Sequence, residues 1–267
     1  MLHPSVVSPR HSFVAPQPLP PRIKAALWRA TDLPCANHPV VSTGHAALDA
    51  ELPGGGWPCQ SLTEILSPQA GVLEWRLLGP AWRQLAAQNK PLVLISPPHN
   101  PHLPGLQHAG VMPQQLIWVQ AHSSAERLWA TEQVIKSNDF AAVMVWLPQA
   151  RPEQMRRLQV CAQAADGLVF AWRPAVAQCS PSAAPLRAMV CASNGWDLNV
   201  QLFKRQGPAH EEALRLHCVP TQLSSILTPK LDPSNRWFSS SFSEAPHALD
   251  RTVFKAGMHQ HRLKAAR

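Results

Sequence analysis

Seven short apolar segments, separated by polar and amphipathic stretches, dominate the middle of the chain. Most of them are continuous hydrophobic runs, which is the pattern of strands buried on both faces of a parallel sheet. The last segment alternates through Leu198, Val200 and Leu202 instead, which predicts a half-exposed, antiparallel edge strand. The predicted strands are Leu62–Leu66, Leu92–Ile95, Leu116–Val119, Ala142–Trp146, Leu168–Trp172, Leu186–Val190 and Leu198–Phe203.

Helices are predicted between these strands. Ser123 and Glu126 form a capping box, which predicts a helix that runs through Leu128 and Ile135. The tryptophans on the helices are predicted to lie in the core. Two further helices are indicated by apolar residues at helical spacing, namely Trp75, Leu78, Trp82 and Leu85, and Met155, Leu158, Ala162 and Ala165. Pro80 should kink the first of these two or delay its start by one turn.

The chain divides into three predicted regions. Residues 40–206 form a core in which strands and helices alternate, and this order predicts an α/β fold with a mostly parallel sheet flanked by helices. Residues 1–39 are a Pro-rich extension, with disorder expected over residues 1–22 and a short helix over residues 23–30. Residues 207–267 lose the periodicity and are rich in Pro, Ser and charge, which predicts a basic, largely irregular, disordered region that binds partners.

The net charge of +8 lies outside residues 40–200. Residues 1–39 carry +3, residues 40–200 contain ten basic and ten acidic residues, and residues 201–267 carry +5. Basic extensions on a neutral core suggest a partner that is acidic, either nucleic acid or an acidic protein surface. The alternative is that the extensions are only solvated, because their charges are scattered rather than clustered.

Several kinds of site and location find no support in the sequence. The longest apolar run, residues 141–147, is too short to cross a bilayer, and the N-terminus lacks a signal-peptide pattern, so a cytoplasmic protein without membrane contact is expected. The six cysteines show no CxxC spacing and are interpreted as reduced, mostly buried thiols. His99, His102 and His108 lie among prolines that argue against a regular helix, so no metal site is predicted.

Motifs between residues 42 and 74 carry a family resemblance. The chain contains STGHAALD at residues 42–49, LPGGGWP at residues 52–58, LTEIL at residues 62–66 and a loop at residues 67–74. Their order and spacing resemble the lead-in to the nucleotide loop of RecA-type recombinases. LPGGGWP, LTE and the later WLP at residues 146–148 resemble the ImuA and SulA-like members of that superfamily. The glycines at 54–56 are interpreted as a flexible turn, because no helix start follows them.

The resemblance also places four unsuited residues at the positions that bind and hydrolyse ATP. A working GxxxxGK[ST] loop uses a Lys for the outer phosphates and a hydroxyl for Mg²⁺, and Leu73 and Glu74 stand at these positions. Pro98 aligns with the family's water-activating Glu, and Trp146 with its Mg²⁺-supporting Asp. A carboxylate about 4 Å from a phosphate repels it by roughly 4 kcal/mol at an effective dielectric of about 20. The resemblance therefore implies a scaffold without a nucleotide cofactor and without catalysis.

The ImuA resemblance implies an adaptor of SOS-induced translesion DNA synthesis. Such an adaptor bridges an ImuB-like homologue of Y-family polymerases and an error-prone replicative-type polymerase, with RecA and DNA as further partners. Lys204 and Arg205 lie in a segment that resembles the family's KRRG, and their cations either face DNA or end a strand in water. Trp237 and Phe238 form an aromatic pair beside Arg236, typical of protein anchors or base-stacking platforms. The predicted partner or DNA contacts are Lys204, Arg205, Arg236, Trp237, Phe238, Arg251, Lys255, Arg262 and Lys264.

Two other functions remain open from the sequence. A SulA-like cell-division inhibitor, which blocks polymerisation of the tubulin-like division protein, would share the same degenerate core, although the extended basic C-terminus favours the DNA-repair role. A true ATPase with a rebuilt site would need a cation in place of Leu73, and Arg76 is close in sequence.

Overall fold

A computed structural model describes residues 39–108, 110–207, 212–220 and 223. The chain forms two compact units, Met1–Val219 and Pro220–Arg267, and the helices and strands given below all lie in the first. The disorder predicted for residues 1–22 and the short helix predicted for residues 23–30 fall outside the described residues, and so does most of the region from residue 207 onward. The division into three regions stays a prediction.

The core is built on one large sheet. Its strands and those of a small ribbon are β1 (Val40–Val41), β2 (Trp57–Pro58), β3 (Leu62–Ser67), β4 (Leu92–Ile95), β5 (Leu116–Val119), β6 (Ala142–Trp146), β7 (Leu168–Pro174), β8 (Leu186–Ala192), β9 (Leu198–Lys204) and β10 (Leu214–Leu216). The sheet has eight strands in the order β10-β9-β8-β3-β7-β6-β4-β5. The six strands from β8 to β5 run parallel to one another. β9 pairs antiparallel with β8, and β10 pairs antiparallel with β9. β1 and β2 pair antiparallel in the separate ribbon.

Helices cover both faces of the sheet. They are α1 (Ala46–Glu51), α2 (Glu74–Ala86), α3 (Leu103–His108), α4 (Ser124–Ser137) and α5 (Pro152–Ala162), with short 3-10 turns at Pro113–Gln115 and Ala175–Cys179. Alternate residues of β3 face opposite layers, so that Ile65 packs with α1 and α2 in one core cluster and Leu62 packs with α4 and α5 in the other. The predicted α/β fold with a mostly parallel sheet flanked by helices is confirmed.

The seven predicted strands are confirmed, each within two residues of the observed bounds. Two expectations about their surroundings are wrong. β5 was expected to be buried like the other apolar runs, but it is the last strand of the sheet, and Ile117 and Trp118 are 45% and 40% exposed. β9 is antiparallel as predicted but is not an edge strand, because the short strand β10, which the sequence pattern did not reveal, pairs with it.

Prolines interrupt the helices less than the sequence suggests. α2 begins at Glu74 and continues through Pro80, so its start is not delayed. Gly44, which has a φ of +77°, lies so close to Pro80 that an added Cβ would come within 2.3 Å of the proline Cβ. Pro80 has no N–H to donate to the carbonyl four residues earlier in the helix. At the next residue, the carbonyl oxygen of Leu77 accepts a hydrogen bond from His45 Nε2 at 3.3 Å. Likewise α3 forms despite Pro104, because that proline falls in the first helical turn.

The motifs at residues 42–58 have structural roles in the fold. The Asp49 carboxylate accepts hydrogen bonds from Ser42 Oγ at 2.6 Å and from the Thr43 N–H at 2.8 Å, which fixes the entry into α1. Gly54 and Gly55 have φ values of +82° and +81°, so the predicted turn at the glycines is confirmed. The turn delivers Trp57 into the core, where it is fully buried edge-on against Phe170 at 5.4 Å.

The Glu of the LTE motif lies in a buried ion triad across the central strands. Glu64 is 0% exposed, and its two carboxylate oxygens lie 2.8 Å from Arg173 Nη1 and 2.8 Å from Arg187 Nε. Arg173 lies on β7 and Arg187 on β8, the two strands that flank β3, so the triad links β7, β3 and β8. Nη2 of Arg173 donates to the Ala150 carbonyl, and Nη2 of Arg187 donates to the Ala177 carbonyl. One carboxylate is therefore shared by two buried cations.

We expect Glu64→Ala to lower the free energy of unfolding by about 3–5 kcal/mol, because it leaves two buried guanidinium groups without their counter-ion. Urea unfolding followed by circular dichroism at neutral pH measures this loss. Glu153→Ala, at an exposed position of α5, is the matched control and should change stability by less than about 0.5 kcal/mol. Equal stability of the two variants would show that the triad does not hold the sheet together.

We also expect stability to fall as the pH drops below about 6.5, through the buried ring of His45. Burial lowers the pKa of His45, an effect only partly offset by the backbone carbonyls of Leu77 and Arg76 and by Asp49. The unfolded state therefore binds more protons in this window, and stability present above the unfolded pKa is lost at lower pH. His45→Gln should flatten the pH dependence of urea unfolding between about pH 7 and 5, whereas His122→Gln, at an exposed position, should not.

Candidate functional site

The loop between β3 and α2 is closed by hydrogen bonds to its own side chains. Ser67 Oγ accepts from the Gln69 N–H at 3.3 Å and donates to the Gln69 carbonyl at 3.0 Å. Gly71 has a φ of +85°, and its N–H donates to Glu74 Oε1 at 2.6 Å. That N–H, which a bound phosphate would require, is therefore already bonded to a carboxylate of the protein.

Glu74 is buried at the first residue of α2, where its charge suits the positive end of the helix. Its side chain is 1% exposed, and Oε1 accepts a second hydrogen bond from the indole Nε1 of Trp146 at 2.9 Å. Oε2 is buried and has no hydrogen-bond partner among the described residues. Leu73, which is 3% exposed, belongs to the core cluster. Positions 73 and 74 are thus filled by a core side chain and a buried carboxyl group.

The segment after β4 packs onto the same loop. A Cβ added at Gly71 would lie 2.9 Å from Pro98 Cγ and 2.5 Å from His99 Cδ2, so only glycine fits beneath this segment. The structure therefore brings together the three places that the sequence aligned separately, namely Glu74, Pro98 and Trp146. The hydrogen bond between Glu74 and Trp146 was missed, since 72 residues separate them in the chain.

A cavity of about 670 Å³ opens at the carboxyl ends of β3, β4, β6 and β7. Ligands of open α/β sheets bind in this crevice as a rule. Ser67, Ser96, Trp146 and Arg173 each lie at the carboxyl end of one of these strands, and all four line the cavity together with Trp118 and Arg127. Sequence reasoning did not single out Arg127 or Arg173, although Arg173 follows immediately on a predicted strand and could have been found from that position.

Two of the predicted contact residues lie in the described part of the chain, and both make contacts within it. Lys204, at the exposed end of β9, donates from Nζ to the Ser182 carbonyl at 2.9 Å. Burial lowers the pKa of its ammonium group, and the neighbouring charge of Arg187 lowers it further. Arg205 Nη1 lies 2.9 Å from Glu51 Oε2 and also contacts the Glu51 carbonyl, with its side chain 12% exposed. Contact of either residue with DNA or a partner stays a prediction. Outside the described residues lie Arg236, Trp237, Phe238, Arg251, Lys255, Arg262 and Lys264.

Other candidate groups are spread over the surface and core. Arg76 stacks over Trp196 at 5.0 Å and donates to the Gly195 carbonyl, away from the residues that line the cavity. Within residues 39–108, 110–207 and 212–220, no group of three His, Cys, Asp or Glu side chains is placed to hold a metal ion. Burial raises the pKa of Cys59 and Cys218 to about 11, whereas Cys179 is exposed. Trp82 is buried as predicted, but Trp129 on α4 is 63% exposed, so that prediction is wrong there.

The chain shows sequence similarity to cell division inhibitors. It is 28% identical over 109 residues to the cell division inhibitor SulA of Edwardsiella piscicida, an alignment that covers 41% of this chain and 65% of that protein. It is 25% identical over 134 residues to SulA of Pectobacterium carotovorum subsp. carotovorum, covering 50% of this chain and 77% of the relative. SulA of Pectobacterium atrosepticum is 27% identical over 131 residues, or 49% and 75% of the two chains.

These alignments show distant homology, at 25–28% identity, to SulA proteins. This finding supports the SulA-like part of the resemblance stated from the motifs. The aligned region spans just under two thirds of the Edwardsiella protein and about half or less of this chain. No protein-family model matches the chain. No helix in the described residues is long and apolar enough to cross a membrane.

Replacing Trp146 tests whether the buried carboxylate depends on it. We expect Trp146→Phe to lower the free energy of unfolding by about 1–3 kcal/mol, because Glu74 loses a charge-assisted hydrogen bond that water does not replace in a buried site. Trp129→Phe, at an exposed tryptophan of α4, should change stability by less than about 0.5 kcal/mol. Urea unfolding followed by far-ultraviolet circular dichroism compares them without relying on tryptophan fluorescence. Equal effects of the two changes would contradict the assigned role of the indole N–H.

Proposed function

We propose that this protein is a SulA-like, non-catalytic inhibitor of cell division that acts by binding the tubulin-like division protein and blocking its polymerisation. The observation that carries the proposal is the carboxylate of Glu74, buried in the loop and bonded to Gly71 and Trp146, taken together with the homology to SulA. Within the SOS response, a protein of this kind works through its surface. Its α/β core serves as a rigid scaffold.

Loss of ATP chemistry follows from charge and space in the loop. A triphosphate needs cations and free N–H donors, whereas the loop presents a buried anion and a core leucine. The estimated repulsion of about 4 kcal/mol weakens nucleotide binding by about three decades. Pro98 and Trp146 offer neither a base for water nor a ligand for Mg²⁺. Arg76 does not supply the missing cation, because its guanidinium is stacked on Trp196.

A second candidate is an ImuA-like adaptor of translesion synthesis, favoured by the charge of the C-terminal region. The alignments to SulA leave half or more of this chain uncovered, and residues 201–267, its C-terminal quarter, carry a net charge of +5. LPGGGWP, LTE, WLP and the segment at Lys204 and Arg205 resemble ImuA. In this role the scaffold would bridge an ImuB-like polymerase homologue and an error-prone replicative-type polymerase, near RecA and DNA.

Sedimentation of the division protein separates the two candidates. We expect equimolar full-length protein to reduce the GTP-dependent pelleting of the purified division protein several-fold, with or without ATP, and to make cells filament on expression. ATP with Mg²⁺ should bind no tighter than about 1 mM by calorimetry. Bovine serum albumin at the same concentration is the protein control.

Undisturbed polymer together with capture of an ImuB-like protein would replace the inhibitor proposal with the adaptor. ATP hydrolysis that survives further purification and disappears on Arg76→Ala would overturn both, since each rests on a silent site.

A further inference from the structure

The cavity at the carboxyl end of the sheet carries positive charge. Arg127 and Arg173 line it, and no Asp or Glu is found among the described residues that do so. Three acidic groups close to these residues are already bonded. Glu64 is shared by Arg173 and Arg187, Glu126 caps α4 by accepting from the N–H groups of His122 and Ser123, and Glu74 accepts from Trp146. The cavity walls thus attract an anion without offering one of their own.

Arg173 is held rigidly at the cavity wall. Its Nη1 bonds Glu64 and its Nη2 bonds the Ala150 carbonyl, both at 2.8 Å, while the side chain is only 5% exposed. Its Nε is a buried donor without a hydrogen-bond partner in the described part of the chain. Because Glu64 is shared with Arg187, this triad retains one positive charge in excess. This fixed excess of positive charge at the cavity wall attracts an anion.

Arg127 supplies a second cation, and it is more accessible. It lies half-buried in the first turn of α4, where only Nε makes a hydrogen bond, a long one of 3.5 Å to the Ala121 carbonyl. Within the described residues its two terminal nitrogens bond no acceptor. A guanidinium with both terminal nitrogens available binds a carboxylate in a bidentate manner.

The rest of the cavity lining is largely apolar. Five prolines line the cavity, among them Pro97, Pro98 and Pro148, together with three tryptophans. Trp146 and Trp172 are only 6% and 2% exposed, so their ring faces are covered, whereas Trp118 is 40% exposed. Single-stranded nucleic acid needs several open aromatic faces along a row of cations. One open indole among proline rings fits an apolar peptide side chain better than a row of bases.

We propose that this cavity binds an acidic segment of a protein partner, in which an Asp or Glu carboxylate bonds Arg127 and flanking apolar residues contact the proline rings and Trp118. The polar side chains of Asn100 and Gln120, which also line the cavity, orient the segment at its wall. The inference rests on the proposed function in that the protein acts by binding another protein, and it adds the chemistry of the bound segment.

Peptide selection tests this inference directly. A phage-displayed library of random dodecapeptides is selected on the immobilised full-length protein, and the recovered peptides are synthesised for fluorescence anisotropy. We expect enrichment of peptides that combine Asp or Glu with Pro or aromatic residues. They should bind Arg127→Glu at least about tenfold more weakly than the unmodified protein. Changing the acidic residue of the peptide to its amide should have a similar effect.

Arg156→Glu is the matched control, because Arg156 is exposed on α5 and does not line the cavity. It makes the same charge change and should leave peptide affinity unchanged. Glutamate at position 127 suits the first turn of a helix, and an unchanged circular dichroism spectrum confirms that the variant folds. A Trp118→Ala variant should also weaken binding, which a purely electrostatic attraction would not require.

Several outcomes would overturn the inference. These are failure to enrich acidic peptides, equal binding by Arg127→Glu, or labelled oligo(dT) binding that depends on Arg127 and competes with the peptides. The proposed function fails or stands separately. If Arg127→Glu still inhibits polymerisation of the division protein, the inhibitor proposal survives without this site. If acidic peptides bind as expected and polymerisation is unaffected, the site survives without the inhibitor.

Discussion

A buried carboxylate needs hydrogen-bond donors, and the structure supplies two of them to Oε1 of Glu74 at the point where the sheet could accept a ligand. Gly71 turns its N–H inward through a positive φ, and Trp146 brings an indole from the end of β6. These two hydrogen bonds tie the loop after β3 to a strand two places away in the sheet. The crevice beyond them is therefore bounded by fixed walls, and its chemistry depends on the side chains of the neighbouring strand ends.

Internal charge pairing explains why so much of the core's polarity is unavailable to a partner. Glu64 occupies two arginines, Asp197 bonds both Arg215 and His217, and Glu51 bonds Arg205. The attraction within such pairs is largely offset by the cost of removing both charges from water, so they contribute little net stability. They do fix the strands relative to one another. Arg127 differs from these residues because it lines the cavity, and among the described residues only Nε of its guanidinium makes a hydrogen bond. The distribution of ion pairs thus separates structural cations from one that is accessible to a ligand.

Much of the fold could be predicted from the sequence, because buried parallel strands are continuous apolar runs and helices repeat every three to four residues. Ser123 and Glu126 marked the start of α4 by local hydrogen bonding alone. What failed was non-local. The position of β5 at the sheet edge and the pairing of β10 depend on strand order, and the tolerance of Pro80 depends on His45 and Gly44. The motif alignment picked out Leu73, Glu74, Pro98 and Trp146 as residues of interest, but it did not predict the hydrogen bond between Trp146 and Glu74.

The bond between Glu74 and Trp146 also limits the routes by which the loop can change during evolution. Threonine at position 74 would strip the indole and the Gly71 N–H of their shared acceptor, and lysine at position 73 would place an ammonium in the apolar core. Each of these single changes removes a buried interaction that the other residue does not replace, so positions 73, 74 and 146 are energetically coupled. The loop can therefore change only by coordinated substitutions, whereas exposed positions are free to vary one at a time.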